Sequence, residues 1–185
     1  MMNATMSPVE KWFQVDGLEI ERLLSDWRWL CPSPMSLLAR NLFGELFLQD
    51  EAGAVFWLNT TVGKLSKVAD SKAEFVEMAE TSQKRQDWFV VQETEAYANR
   101  GLVPSASHSI GFGVPAVFAE GGTPDTAFVA DIYEHISFLV TCTNRYLLCL
   151  TEAPYVCESV QNRLHLIRVQ ILEVLNRLRG IAGNY

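Results

Sequence analysis

Apolar positions change their period along the chain, and each change marks an element. Ile20, Leu23, Leu24, Trp27 and Leu30 fall on one face at 3.6-residue spacing. Two helix starts precede them. Ser7-Pro8-Val9-Glu10 has a cap residue, a first-turn proline and an acid, and Asp16-Gly17-Leu18-Glu19 repeats the cap-and-acid spacing. Pro32 and Pro34 stop the run, so one or two helices are predicted over 8–30. The period then shortens. The aromatic and aliphatic runs 42–48 and 55–58 flank Gln49–Ala54, where Gly53 suits a left-handed turn. That pattern predicts a β-hairpin, with a third short strand at 65–68.

Helical signals return at Ser71-Lys72-Ala73-Glu74, a capping box that opens a helix with Phe75, Met78 and Ala79 on one face. A second helix is expected from Gln86 to Asn99, closed by Gly101. Residues 101–122 are rich in glycine, proline and serine and read as loop with short strands. Strands are expected at 127–132, 136–140 and 146–150. The last segment has a heptad seam, Val160, Leu164, Ile167, Ile171, Val174 and Leu178, widened by Leu166, Val169, Leu172, Leu175 and Ile181. A helix this apolar is buried on two sides. It either packs on the sheet or forms a seam with a second copy or a partner.

No repeat or long linker divides the 185 residues, so a single domain over 1–185 is expected. Its parts are an N-terminal helical segment (1–34), a core (43–139) and a C-terminal helix (155–181). The fold class is α+β: a mostly antiparallel sheet covered by N-terminal, central and long C-terminal helices.

Charge narrows the partner. Asp plus Glu is 22 and Lys plus Arg is 15, a net charge of −7. A protein that grips a phosphate backbone needs a basic face, so direct nucleic-acid binding is not expected. A small molecule or a basic protein remains compatible. No signal peptide and no run of 18 apolar residues occurs, so neither export nor a membrane span is predicted. The cytosol is the default compartment, and Cys31, Cys142, Cys149 and Cys157 are expected as free thiols.

The candidate chemistry is sparse. The cysteine spacings, 111, 7 and 8, do not fit a structural zinc site, and His108, His135 and His165 lack metal-ligand spacing. Gly111-Phe112-Gly113-Val114-Pro115 lacks the third glycine of a dinucleotide loop and reads as a turn between strands. On a strand, Asp131, Tyr133 and His135 would share one face. Asp131 and His135 could then form an acid/base pair, or the carboxylate could simply satisfy a structural histidine. A small hydrolase using Asp131, His135 and a cysteine is the enzyme-class alternative. No G-x-S-x-G is present. No cofactor, no metal and no catalysis are expected.

Acidic residues cluster. Residues 116–134 hold Glu120, Asp125, Asp131 and Glu134 with no Lys or Arg. Residues 70–95 hold seven acids against Lys72, Lys84 and Arg85, while the C-terminal helix reverses the balance with Arg163, Arg168, Arg177 and Arg179. These acids form either a solvated surface or a face for a basic partner.

Several runs, in order, resemble an immunity-protein family that guards bacteria against DNase effectors of type VI secretion. Phe43-Gly44-Glu45-Leu46-Phe47-Leu48, followed by 50–58, resembles the family's opening F-G-[DE]-x-F-L hairpin. Val68-Ala69-Asp70-Ser71 with Glu74-Phe75 resembles its A-x-S-x-x-E-F helix start, and Asp87-Trp88-Phe89 the W-F of its second helix. Gly111–Pro115 resembles its G-F-K-[IV]-P. From there, without a gap, Asp125, Asp131 and His135 fall at the family's [DE]-N, D-[IL] and H. Thr126 stands where asparagine is usual, and the glycine pair Gly121-Gly122 falls two residues late. The resemblance covers 43–139, about half the chain.

That resemblance implies a cytoplasmic inhibitor that occludes a cognate effector toxin stoichiometrically. An acidic inhibitor complements the basic face of a nuclease and gains on-rate by steering. Glu120, Asp125 and Glu134 are the expected contacts, with Glu77 and Glu80 on the central helix. The alternative is a non-toxin protein-binding or regulatory module on the same scaffold. A homodimer through the C-terminal helix is a further expectation.

Overall fold

A computed structural model describes residues 15–116 and 121–151. Its centre is a four-stranded antiparallel meander in the order β1-β2-β3-β4: Met35–Arg40, Leu46–Asp50, Val55–Asn59 and Lys64–Ala69. A two-stranded antiparallel sheet pairs β5 (His108–Phe112) with β6 (Ala127–Asp131). The helices are α1 (Ile20–Leu23), α2 (Lys72–Glu80), α3 (Ser82–Phe89), α4 (Val91–Asn99) and α5 (Ile132–Thr151). Short 3₁₀ turns lie at Ser25–Trp27 and Pro124–Thr126. This is the mixed α+β class that the sequence pattern predicts.

The central strand β2 explains the layering. Successive side chains on a strand point to opposite faces. Leu46 and Leu48 enter a core with Leu23, Trp27, Leu58, Ile132 and Ile136. Phe47 enters a second core with Phe75, Trp88 and Phe89. The sheet is therefore buried on both faces, which is why β2 reads as an unbroken apolar run. Phe47 has ring centroids of Phe75, Phe89 and Trp88 at 5.0, 5.2 and 5.6 Å. Truncating so enclosed a ring costs about 3–5 kcal/mol.

The hairpin stands as expected, with Gly53 at φ +90°. The helix at Ser71 also stands. Ser71 Oγ accepts from Glu74 N at 3.2 Å, and the Glu74 carboxylate accepts from Asp70 N at 2.6 Å. Strand β4 covers the third expected strand.

Other expectations are corrected. Of the one or two helices expected over 8–30, the part within 15–30 is α1 and a 3₁₀ turn, shorter than the apolar stripe, which is buried through Leu23, Leu24 and Trp27. The helix expected over 86–99 is two helices, because Val90 sits at φ 50°, ψ 52° and breaks it. The strands expected at 136–140 and 146–150 are parts of α5. Ile132, Ile136, Leu139, Val140 and Thr143 are buried at helical spacing. Asp131 starts that helix: its Oδ1 accepts from Tyr133 N at 2.9 Å and Glu134 N at 3.2 Å. Strand β1 was not foreseen.

Helix α5 fastens the N-terminal turns to the sheet. Trp27 Nε1 donates to the carbonyl of Ile136 at 3.3 Å, Glu19 N donates to the Tyr133 hydroxyl at 2.8 Å, and Ser137 Oγ donates to Asp26 at 2.6 Å. The expected helix over 155–181, its seam and the dimer built on it lie outside the described residues, as does the Ser7–Glu10 helix start.

Candidate functional site: a buried histidine beneath a phenylalanine recess

Three sequence motifs meet at one imidazole. His135, on the first turn of α5, is 8% exposed. Its ring lies between two glycines from the runs Phe43-Gly44-Glu45 and Gly111-Phe112-Gly113. A Cβ on Gly44 would lie 3.6 Å from Nδ1 and 3.3 Å from Ile136 Cγ1. A Cβ on Gly111 would lie 3.5 Å from Nε2 and 3.1 Å from the Phe128 ring. Gly44 also has φ +85°, so it serves both conformation and close approach.

His135 Nδ1 lies 2.7 Å from Ser109 Oγ, which is wholly buried on β5. Asp131 is engaged with the α5 amides instead. The helical start places it away from the strand face that sequence parity assigned, so the expected Asp131–His135 pairing is corrected. Burial lowers the His135 pKa to about 4, so the ring is neutral at physiological pH.

Above the ring lies a small recess of ≈ 30 Å³. Half-buried Phe43, Phe112, Phe128 and Phe138 line it, with His135 as its imidazole. Phe43 stacks on Phe112 at 5.9 Å, and Tyr97 approaches both edge-on. Among the described residues no charged side chain lines it.

Two other buried polar groups support this region. Arg40, at the end of β1, donates to the carbonyls of His108 and Ser105, both at 2.9 Å. Desolvation lowers its pKa to about 10. It pins the loop that leads into β5. Glu45, 8% exposed, accepts from Asn41 Nδ2 at 2.8 Å and Trp57 Nε1 at 3.1 Å. Burial raises its pKa to about 7, against the opposing effect of those two hydrogen bonds. Asn41 Nδ2 also reaches the carbonyl of Trp88 at 3.1 Å, tying the sheet to α3.

The expected partner contacts are dispersed. Glu77 and Glu80 are exposed on α2, and Glu134 is exposed on the first turn of α5. None of the three is in an ion pair among the described residues. Asp125, in the 3₁₀ turn before β6, pairs with Arg100 at 3.2 Å. The absence of a local cation, inferred from residues 116–134 alone, therefore fails at Asp125, because Arg100 arrives from the end of α4. Glu120 lies outside the described residues.

Sequence reasoning missed Ser109, Arg40 and Glu45 as buried polar groups. Glu45 carried a signal, being an acid enclosed by Leu42, Phe43, Leu46 and Phe47. Ser109 carried none, since its role depends on a contact 26 residues away. Cys31 is a buried thiol whose pKa burial raises to about 11, which suits packing rather than reactivity. Cys142 is buried too. Among the described residues no cluster of His, Cys, Asp and Glu could hold a metal ion. No helix among them is long and apolar enough to cross a membrane.

No protein-family model matches this chain, and no curated protein and no solved structure is significantly similar to it.

Proposed function

We propose that this protein is a cytoplasmic immunity protein that binds a cognate type VI secretion effector, a DNase, and neutralises it by stoichiometric occlusion. The observation that carries the reading is the set of exposed carboxylates without ion partners among the described residues: Glu77 and Glu80 on α2, Glu95 on α4 and Glu134 on α5. A nuclease presents a cationic face to phosphate, and an anionic surface competes for that face. The net charge of −7 adds long-range steering to the encounter. The ordered motif resemblance over 43–139 supports the same reading.

The test is co-expression with the product of any nuclease-encoding reading frame that adjoins the gene, followed by purification through a tag on that product. An equimolar complex that no longer cleaves DNA is the expected result. Separate elution of the two chains, with cleavage intact, would overturn the reading.

A further inference from the structure

We propose that the open edge of strand β6 takes up an extended, lysine- or arginine-bearing segment of the basic partner, which adds to the β5–β6 ribbon as a third strand. This rests on the reading of the partner as a basic protein, and it names the contact that reading leaves open.

The ladder shows which backbone groups face outward. Gly113 N donates to the carbonyl of Thr126 at 3.0 Å, and Ile132 N donates to that of Ser107 at 2.9 Å. Bonded positions alternate in an antiparallel pair, so within this frame Ser109 bonds Ala130 and Gly111 bonds Phe128. The amides and carbonyls of His108, Ile110 and Phe112 on β5, and of Ala127 and Val129 on β6, therefore turn away from the ribbon. On β5 that edge is taken. Ile110 N donates to the carbonyl of Leu42 at 2.7 Å, and Arg40 donates to the carbonyl of His108. On β6, Ala127 N turns back to the carbonyl of Pro124, and the N–H and C=O of Val129 have no partner among the described residues. Val129 is 40% exposed.

Open edges invite pairing, and proteins guard them with lysines, prolines or bulges. Strand β4, one edge of the four-stranded sheet, carries exposed Lys64 and Lys67, and β1, the other, is bulged at Leu38. Strand β6 has no lysine, no proline and no bulge. A ribbon of two strands is also marginal and gains from a third. Charge selects the occupant. Asp131 and Glu134 stand at the C-terminal end of β6 with no ion partner among the described residues, and 121–134 contains no Lys or Arg. The guanidinium groups nearby are committed, Arg100 to Asp125 and Arg22 to the Tyr133 ring. A second copy pairing antiparallel about Val129 would set Asp125 of each chain toward Asp131 and Glu134 of the other, and like charges across a strand pair oppose it. A cationic strand meets carboxylates instead.

The test uses the full chain and an end-capped seven-residue peptide of alternating lysine and valine, with a glutamate–valine peptide as the charge control. The lysine peptide should bind saturably, shift the amide resonances of Ala127, Val129 and Asp131, and slow hydrogen exchange at Val129 at least about fivefold. The glutamate peptide should bind at least about tenfold more weakly at low salt. Val129→Pro removes the outward N–H but no bond of the β5–β6 ladder, so it should abolish binding while the Ala130 amide stays protected. Val129→Lys, which gives β6 the guard that β4 carries, should weaken binding about tenfold. No saturable binding, shifts without slowed exchange at Val129, equal binding of the glutamate peptide, or protection of Val129 by self-association of the free chain would each overturn the proposal. Because the wild-type chain alone decides these outcomes, misfolding of the proline variant cannot obscure them. The peptide reads the edge and the co-purification reads the effector, so either can fail without the other.

Discussion

Ser109 Oγ lies 2.7 Å from His135 Nδ1, so strand β5 and the first turn of helix α5 are joined by one buried hydrogen bond. It fixes the imidazole between Gly44 and Gly111 and so builds the recess floor. Helix placement, strand placement and two glycines all serve one ring.

Two buried ionisable groups give stability opposite slopes with pH. Folding favours the protonated form of Glu45, so the native state keeps a proton that the unfolded chain releases. Its contribution is therefore lost as pH rises from 4.5 to about 7. Folding favours neutral His135, so the unfolded chain takes up a proton that the native state refuses. That contribution is lost as pH falls from 6.5 to about 4. Each amounts to about 3 kcal/mol across its window, and the windows overlap with opposite sign. In Glu45→Gln the histidine slope should stand alone. Urea denaturation across pH 4 to 8 should show the variant gaining on wild type by about 3 kcal/mol as pH rises. A constant offset between the two curves would show that Glu45 titrates alike in the folded and the unfolded chain.

Asp131 caps α5 through two backbone amides. Asp131→Ala should cost about 1 kcal/mol, whereas Asp131→Asn, which keeps the acceptor, should cost only a fraction of that. At this chain length the alanine variant should melt about 2–4 °C lower. Equal melting of the two variants would contradict the cap.

Val90 holds the left-handed region with a β-branched side chain, at the break between α3 and α4. Such a residue stores about 1–3 kcal/mol of strain. Glycine removes the strain at an entropic cost of about 0.5–1 kcal/mol. Val90→Gly should therefore raise stability by about 1 kcal/mol, while Ala96→Gly, inside α4, should lower it by about as much. Equilibrium unfolding of the pair settles the sign.

How much of this was legible follows from particular residues. Gly53, Ser71 and the alternation of Leu46, Phe47 and Leu48 are local signals, and the elements they mark stand where the pattern put them. Strand β1 hid because Leu38 and Ala39 together face one residue of β2. That bulge puts Leu38 and Ala39 in the same core, out of phase with simple alternation. Helix α5 hid because short apolar runs look alike in strand and helix. The signal that separates them was present in Asp131-Ile132-Tyr133-Glu134, a cap with an acid three residues on. His135 was singled out from sequence, but Ser109 and the four phenylalanines were not, because only the fold brings them to it.

Exposed, unpaired carboxylates should dominate partner affinity. Reversing Glu77, Glu80 and Glu134 together to lysine should weaken effector binding at least about tenfold, chiefly at low salt, with little change in melting temperature. Calorimetry at two ionic strengths reads both effects. Unchanged affinity and salt dependence would make these residues solvated surface.

Titrating the protein into the DNA-cleavage reaction of a nuclease that co-purifies with it tests the central claim most directly. Stoichiometric occlusion predicts that cleavage falls in proportion to added protein and ends at one equivalent. Cleavage that continues unchanged under excess protein would contradict it.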